Sequence, residues 1–239
     1  MNDLLNLVSL PTYTTIIPST GKEITFRPFV VKEEKILLMA TESKNEQQIY
    51  NAIKMVFESC FREKLNLEEI PYFDAEYLFV KLRMKSMGEV VEIIIKDPTT
   101  GEKFETAINL DKIQVENLKD SKEFNIELSK ELGVTLKYPT LKGFKSLTEN
   151  EDKTGTDGVI DLICNSIQTI YTKEQVISTK DKTFDEIKEF VENLSKDMFS
   201  KLGEFFMTLP SVTYYDEFVS PSTGNKIPII IKDFKNFFI

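Results

Sequence analysis

The chain has 239 residues, 41% of them hydrophobic, with 30 lysines and arginines against 39 aspartates and glutamates, a formal net charge of −9. That length supplies a core for one large domain or two small ones, and the acidic balance argues against a binder of phosphate backbones, which needs a dense basic patch. Histidine is absent altogether, which removes the commonest general base and the commonest metal ligand; no apolar run approaches the ~20 residues of a bilayer span, and the opening residues lack the charged-then-apolar pattern of a signal peptide.

Residues 1–11 read as a lead-in. One turn then occurs three times along the chain: Pro18-Ser19-Thr20-Gly21-Lys22, Pro98-Thr99-Thr100-Gly101-Glu102-Lys103 and Pro221-Ser222-Thr223-Gly224-Asn225-Lys226. Proline presets φ for the second position of a type I turn and glycine takes the left-handed position that closes it. Residues of alternating polarity flank each copy, which predicts three β-hairpins with four-residue loops. In the first, over 12–28, pairing Ile17 with Lys22 puts Tyr13, Thr15, Ile24 and Phe26 on one face, and Pro28 ends the return strand.

Helical spacing follows from Lys32 to about Ser43 and again over 46–62, where Asn45 and Gln48 form a capping box. Asp74 is read as the cap of a helix over 75–86 that Gly88 stops. In the second hairpin, over 89–110, setting Asp97 opposite Glu102 aligns Val91, Ile93 and Ile95 with Phe104, Thr106 and Ile108 and leaves Glu92, Lys96, Lys103 and Glu105 on a wet face. Leu110 to Val115 leads out of it. Phe124–Leu128 and Val134–Tyr138 read as short strands around Gly133. The polar stretch 149–158 is a loop and a candidate boundary between a hairpin and helix region, 1–148, and a helical region with a closing hairpin, 159–239. Helices are predicted over 159–171, over 184–193 behind a Thr183–Glu186 capping box, and over 196–208 behind Ser195; Pro210 ends the last, and the third hairpin spans 211–231. The fold class is α+β, several hairpins packed with helix pairs, as one compact unit or two subdomains.

Chemistry finds little equipment. The pairs Glu33–Glu34, Glu68–Glu69 and Asp185–Glu186 fall at helix starts or in loops, where they serve the helix dipole or solubility, whereas acid–base catalysis needs two carboxylates converging on one concave site. Lys22 and Lys226 come just after turn glycines but lead into strands, not the helix of a phosphate-binding loop. A zinc ribbon has cysteines where these turns have Pro, Ser and Thr. Cys60 and Cys164 sit in apolar helical patterns and read as buried free thiols. A serine nucleophile has no histidine to activate it, which leaves a Ser–Lys pairing open. No catalytic, cofactor-binding or metal-binding residue is assigned. The C-terminal Phe234, Phe237, Phe238 and Ile239 admit two readings: packing behind the last hairpin, or an exposed anchor for a partner.

The order of motifs carries more than any one of them. T-Y-T-T-I-I-P-S-T-G-K-E-I-T-F-R-P-F (12–29) runs into V-V-K-E-E-K-I-L-L-M-A; K-S-M-G-E (85–89), L-G-V-T-L-K-Y-P-T (132–140), I-Q-T-I-Y (167–171), F-F-M-T-L-P (205–210) and D-F-K-N-F-F (233–238) follow. From about residue 10 to 238 this resembles the baseplate hub assembly family of T-even-like contractile-tailed bacteriophages, with the block around P-S-T-G-K and R-P-F-V-V-K-E-E-K the most specific part. The resemblance implies a structural or assembly protein of the tail baseplate hub that binds other hub or tail proteins, without enzymatic activity or cofactor, in the host cytoplasm during assembly; whether it stays in the finished tail is left open. The expected contact surface comprises hairpin edges and aromatic residues, Tyr214, Tyr215, Phe234, Phe237 and Phe238. The alternatives are an enzyme with an unobvious carboxylate or Ser–Lys site, which needs a deep pocket with convergent polar groups, and a small-ligand or nucleic-acid binding module; for nucleic acid the latter needs a basic patch.

Overall fold

A computed structural model of the chain describes residues 9–232 apart from 122, 142 and 144–155. The protein is α+β, with six α-helices and eleven strands among these residues. In chain order they are β1 (Tyr13–Ile17), β2 (Lys22–Phe26), α1 (Val31–Glu42), α2 (Glu46–Cys60), α3 (Tyr72–Met87), β3 (Val90–Lys96), β4 (Lys103–Asn109), β5 (Gln114–Glu116), β6 (Glu123–Glu127) and β7 (Leu132–Lys137). Then come α4 (Thr156–Ser166), β8 (Ile167–Thr172), β9 (Val176–Ser178), α5 (Phe184–Glu192), α6 (Lys196–Met207), β10 (Ser211–Val219) and β11 (Lys226–Lys232). The strands form four small antiparallel sheets.

Two compact units interleave in sequence: one from residues 9–65, 76–116 and 211–232, the other from 66–75 and 117–210. This differs from a division at 149–158 into 1–148 and 159–239. The closing hairpin belongs with the first segment because β10 pairs with β5, Val212 opposite Val115, a long-range pairing that no local pattern encodes. Of the polar stretch only 156–158 are described, and they open α4.

In the first unit, β1 and β2 pair as their alternation requires, Ile17 opposite Lys22 and Tyr13 opposite Phe26. Ile24 and Phe26 are buried. The hairpin is tied to the end of α2 by main-chain bonds: the Arg27 N–H donates to the Cys60 carbonyl and the Arg62 N–H to that of Thr25, both at 2.9 Å. Behind them a ladder of rings runs from Phe26 through Phe61 and Phe57 to Phe79, with centroids 5.4, 4.9 and 6.1 Å apart. Arg27 then reaches into the start of α1. Its guanidinium donates to Glu33 Oε1 at 2.9 Å, while Glu33 Oε2 accepts the Val30 N–H at 2.9 Å. Val30, the residue before the helix, offers no side-chain acceptor, so Glu33 satisfies that open N–H by folding back. The Phe29 N–H is taken up by Ser86 Oγ at 2.9 Å. The block R-P-F-V-V-K-E-E-K is therefore a staple joining strand exit to helix entry.

At α2, Asn45 Oδ1 accepts the Gln48 N–H at 3.0 Å as its sequence suggests, but the Asn45 N–H donates to Ser43 Oγ instead of to Gln48. Asp74 is not a cap: α3 starts at Tyr72 directly after Pro71, and Asp74 lies buried in its first turn. Gly88, at φ +104, ends that helix as expected. The repeated turns all sit at hairpin tips, and their glycines Gly21, Gly101 and Gly224 have φ of +65, +77 and +71.

In the second unit the sheet order is β6-β7-β8-β9. The predicted helix over 159–171 ends at Ser166, and Ile167–Thr172 is strand β8, paired to β7 and β9. Apolar Ile163, Ile167 and Ile170 satisfy a helical period, but Ile167, Thr169, Ile170 and Thr172 are β-branched and Tyr171 is aromatic, and sheet partners on both sides decide the outcome. Gly133 lies opposite Tyr171; a Cβ there would run into the Tyr171 ring, so the glycine is the seat on which that ring rests. Phe124, Tyr138, Phe205 and Phe73 build the aromatic core, with centroids 4.8 to 5.1 Å apart along the chain of contacts. Thr183 and Glu186 form the expected reciprocal box at α5, and Ser195 Oγ accepts the Met198 N–H at α6.

Two outcomes test this reading. Gly21 and Gly224 have open space around the missing Cβ, so a Gly→Val change at either meets only the left-handed backbone cost, ~1–2 kcal/mol, and Gly→Asn costs less; equal melting temperatures for the two variants contradict the turn geometry. Glu33→Ala strands a partly buried Arg27 and should cost about 3 kcal/mol, against less than about 0.5 kcal/mol for Glu42→Ala on the exposed end of the same helix, measured by urea unfolding.

Candidate interaction surface

The first unit brings two of the three repeated turns together. Residues alternate along β3–β4 and β10–β11, and the inner faces of the two hairpins meet: Phe104 and Phe218 have ring centroids 5.6 Å apart. At the tips, Asp97 Oδ1 accepts the N–H groups of Thr99 and Thr100 at 2.7 and 3.2 Å, its own turn, while Oδ2 accepts the Thr223 hydroxyl of the other turn at 3.3 Å. Ser222 donates to the Glu102 carboxylate. Asp97 and Ser220 both stand immediately before the turn proline, and both are 1% exposed. The Ser220 hydroxyl and the turn N–H groups hold the Asp97 carboxyl below its ordinary pKa. The equivalent residue of the first turn is Ile17, which is buried apolar core. One position thus distinguishes a turn that docks on another turn from one that does not.

Lower down, Asp216 joins β10 to the 3-10 turn Leu110–Lys112. Lys112 Nζ donates to Asp216 Oδ2 at 2.6 Å and the Tyr214 hydroxyl donates to the same oxygen at 2.8 Å. The Lys112 ammonium, the Glu217 N–H and the Tyr214 hydroxyl hold the Asp216 carboxyl at about 2.

Docked on their inner sides, the hairpins turn their outer faces to solvent. On β10–β11, Tyr215 is 59% exposed directly opposite Ile230 at 55%, with Val219 at 55% toward the tip. On β3–β4, Val90 and Ile94 are 62% and 66% exposed. The Lys226–Glu217 ion pair at 2.7 Å runs beside the first group. The outer edge of β11 is blunted. The Ser220 N–H donates to the Asn225 carbonyl, and counting down the ladder from there turns the Pro228 nitrogen outward, where it has no hydrogen to offer.

Of the residues expected to meet a partner, Tyr215 is on this outer face. Tyr214 is not available: it is 1% exposed, because consecutive strand residues point to opposite faces and only one of the two can look outward. Phe234, Phe237 and Phe238 lie outside the described residues. Ile230, Val219, Val90 and Ile94 were missed, since the run Ile229-Ile230-Ile231 alone does not tell which isoleucine faces out.

Burial pushes the Cys60 thiol up to about 11 and that of Cys164 up to about 12, so neither is a thiolate near neutrality. Burial works against an ionised Glu33, but the Arg27 guanidinium and the Val30 N–H outweigh it and lower its pKa. Glu186 is held at about 2 by the Thr183 N–H, Lys182 and the Thr183 hydroxyl. Each serves structure. A hollow of about 370 Å³ beside β1–β2 is lined by Thr14, Glu23, Tyr77, Lys81, Lys85 and Asp111, with Lys81 paired to Asp111. Among the described residues no three His, Cys, Asp or Glu side chains are placed to hold a metal ion, and no helix is long and apolar enough to cross a membrane.

A pH dependence follows from Asp216. Its carboxyl is lowered from 3.8 to about 2, so its stabilising contribution is complete above about pH 4 and is lost as the pH falls through about 2. Over that window the melting temperature of the wild-type protein should drop more steeply than that of Asp216→Asn; parallel curves by circular dichroism contradict the Lys112–Asp216–Tyr214 cluster.

No curated protein and no solved structure matches the chain. A family model described as T4 bacteriophage base plate protein matches residues 10–239, a span that holds every element described above, from the first hairpin and its Arg27–Glu33 staple to the closing hairpin. The chain therefore belongs to the T4 bacteriophage base plate protein family.

Proposed function

We propose that this baseplate protein is a structural or assembly component of the baseplate hub, that it binds other hub subunits during tail assembly, and that it does no catalysis. The observation that carries this reading is the outer face of β10–β11. Tyr215, Ile230 and Val219 form an exposed apolar group on a hairpin whose inner side is fixed by Asp97, Asp216 and the Phe104–Phe218 contact. A preorganised aromatic and aliphatic group of this kind loses little entropy on docking, and such residues supply most of the energy of ordinary interfaces. The blunted β11 edge favours docking through the face over addition of a strand, and the aromatic segment Phe234, Phe237 and Phe238 is a second, separate anchor for a partner.

Co-expression with the other tail proteins of the same phage, followed by size-exclusion chromatography and mass spectrometry, tests the proposal. The chain should co-elute with a hub subunit. Tyr215→Ala or Ile230→Ala should weaken that complex by ~2 kcal/mol, the loss typical of a central interface residue, with the melting temperature nearly unchanged because both side chains are exposed. A phage lacking the gene that still builds complete contractile tails refutes the hub role.

A further inference from the structure

The second unit carries an apolar groove of about 510 Å³ that the β10–β11 face does not use. Its floor is the sheet, with Leu132 of β7, Ile170 of β8 and Ile177 of β9; its wall is Phe190, Leu194 and Met198. The register places Ile170 opposite Ile177 of β9, while Leu132 lies two residues from Val134, the partner of Ile170 on β7. Helix α5 covers only part of it. Ile187 and Val191, one turn apart, are 8% and 1% exposed, whereas Phe190 and Leu194 on the adjoining stripe are only half-buried. Six large apolar side chains are thereby left half-wet around one depression, whose volume lies in the ~300–1,000 Å³ range of binding pockets. The rim is charged, with exposed Glu186 and Glu189 on α5 and Lys182 paired to Glu186 at 3.0 Å.

An occupant must offer several large apolar side chains close together, a cation for Glu189, since Glu186 is already taken up by Lys182 and Thr183, and tolerance of an anion near Lys182. The sequence Asp233-Phe234-Lys235-Asn236-Phe237-Phe238-Ile239 offers all three, with three rings and an isoleucine around Lys235 and Asp233 at its head. We propose that the groove receives the segment Phe234–Ile239 of a second copy of this chain, so that copies are joined tail to groove. This rests on the reading of the aromatic end as a partner anchor and names the partner. The segment and the groove are different surfaces, so the contact is heterologous; repeated, it closes into a ring or continues as a chain of copies.

The test uses the full chain and its double variant Phe237→Ser/Phe238→Ser. Analytical ultracentrifugation should show the wild type associating with concentration and the variant monomeric. A fluorescent peptide of residues 233–239 should bind the variant saturably, at least tenfold more weakly when its two C-terminal phenylalanines are alanine, and several-fold more weakly when the protein carries Glu189→Lys, an exposed substitution that leaves the core alone. A peptide that does not bind overturns the proposal. So does a wild type that stays monomeric while the variant binds the peptide, which assigns the groove to the chain's own end. If the variant aggregates, Glu189→Lys in the otherwise wild-type chain serves in its place and should shift association to higher concentration; unchanged association overturns the proposal. None of these outcomes touches the β10–β11 face, whose test is the Tyr215 and Ile230 pair in complexes with hub subunits.

Discussion

A carboxylate that is almost wholly removed from water must be paired, and in this protein that requirement falls on Glu33. Its two oxygens are divided between the Arg27 guanidinium and the Val30 N–H, which forces the chain leaving β2 to turn into α1 at one angle only. A buried pair of this kind adds little net stability over an apolar pair of the same shape, but removing one partner is expensive. Its worth is in geometry: the bonds from Arg27 to Cys60 and from Arg62 to Thr25 can form only when the strand exit is so placed, and the ring ladder from Phe26 to Phe79 follows from them. The most distinctive block of the sequence is a structural device, which accounts for its specificity without any appeal to chemistry.

The same logic operates at the hairpin tips, where Asp97 has no charged partner among the described residues and is held by two turn N–H groups and a hydroxyl from the neighbouring turn. Such an anion is stable because each of its oxygens has a donor. The consequence reaches function. Two hairpins held at their tips, at Phe104–Phe218 and at Asp216 present their outer faces rigidly, which is the geometry the proposed contact uses. Surface ion pairs nearby, such as Lys226–Glu217, contribute little by themselves, so the proposed contact is centred on the Tyr215–Ile230 group.

The second unit is held differently, by the rings of Phe73, Phe124, Tyr138 and Phe205 and by the side-chain caps of Thr183 at α5 and Ser195 at α6. Its helix α5 buries Ile187 and Val191, whereas Phe190 and, just past the helix end, Leu194 remain half-buried around the groove that Ile170 and Ile177 also line. In a protein whose family builds a multisubunit particle, leftover apolar surface on each unit is the expected signature of assembly sites.

The sequence by itself determined the local structure. Three Pro-x-Thr-Gly turns set three hairpins, and the registers of the first two, because turn geometry and a period of two fix the pairing. The caps at Asn45, Thr183 and Ser195 set helix starts, and the absence of histidine and of cysteine pairs removed most catalytic and metal chemistry from consideration. The tertiary structure alone decided what depends on distant partners. Ile167–Thr172 is a strand because β7 and β9 flank it, although its apolar spacing also suits a helix. Tyr214 is core and Tyr215 surface because the inner face of β10 is covered by residues about a hundred positions away in the chain. Asp97 meets Thr223, and the closing hairpin joins the first unit, through contacts whose energy comes from burial and pairing between segments that carry no mark of each other in sequence.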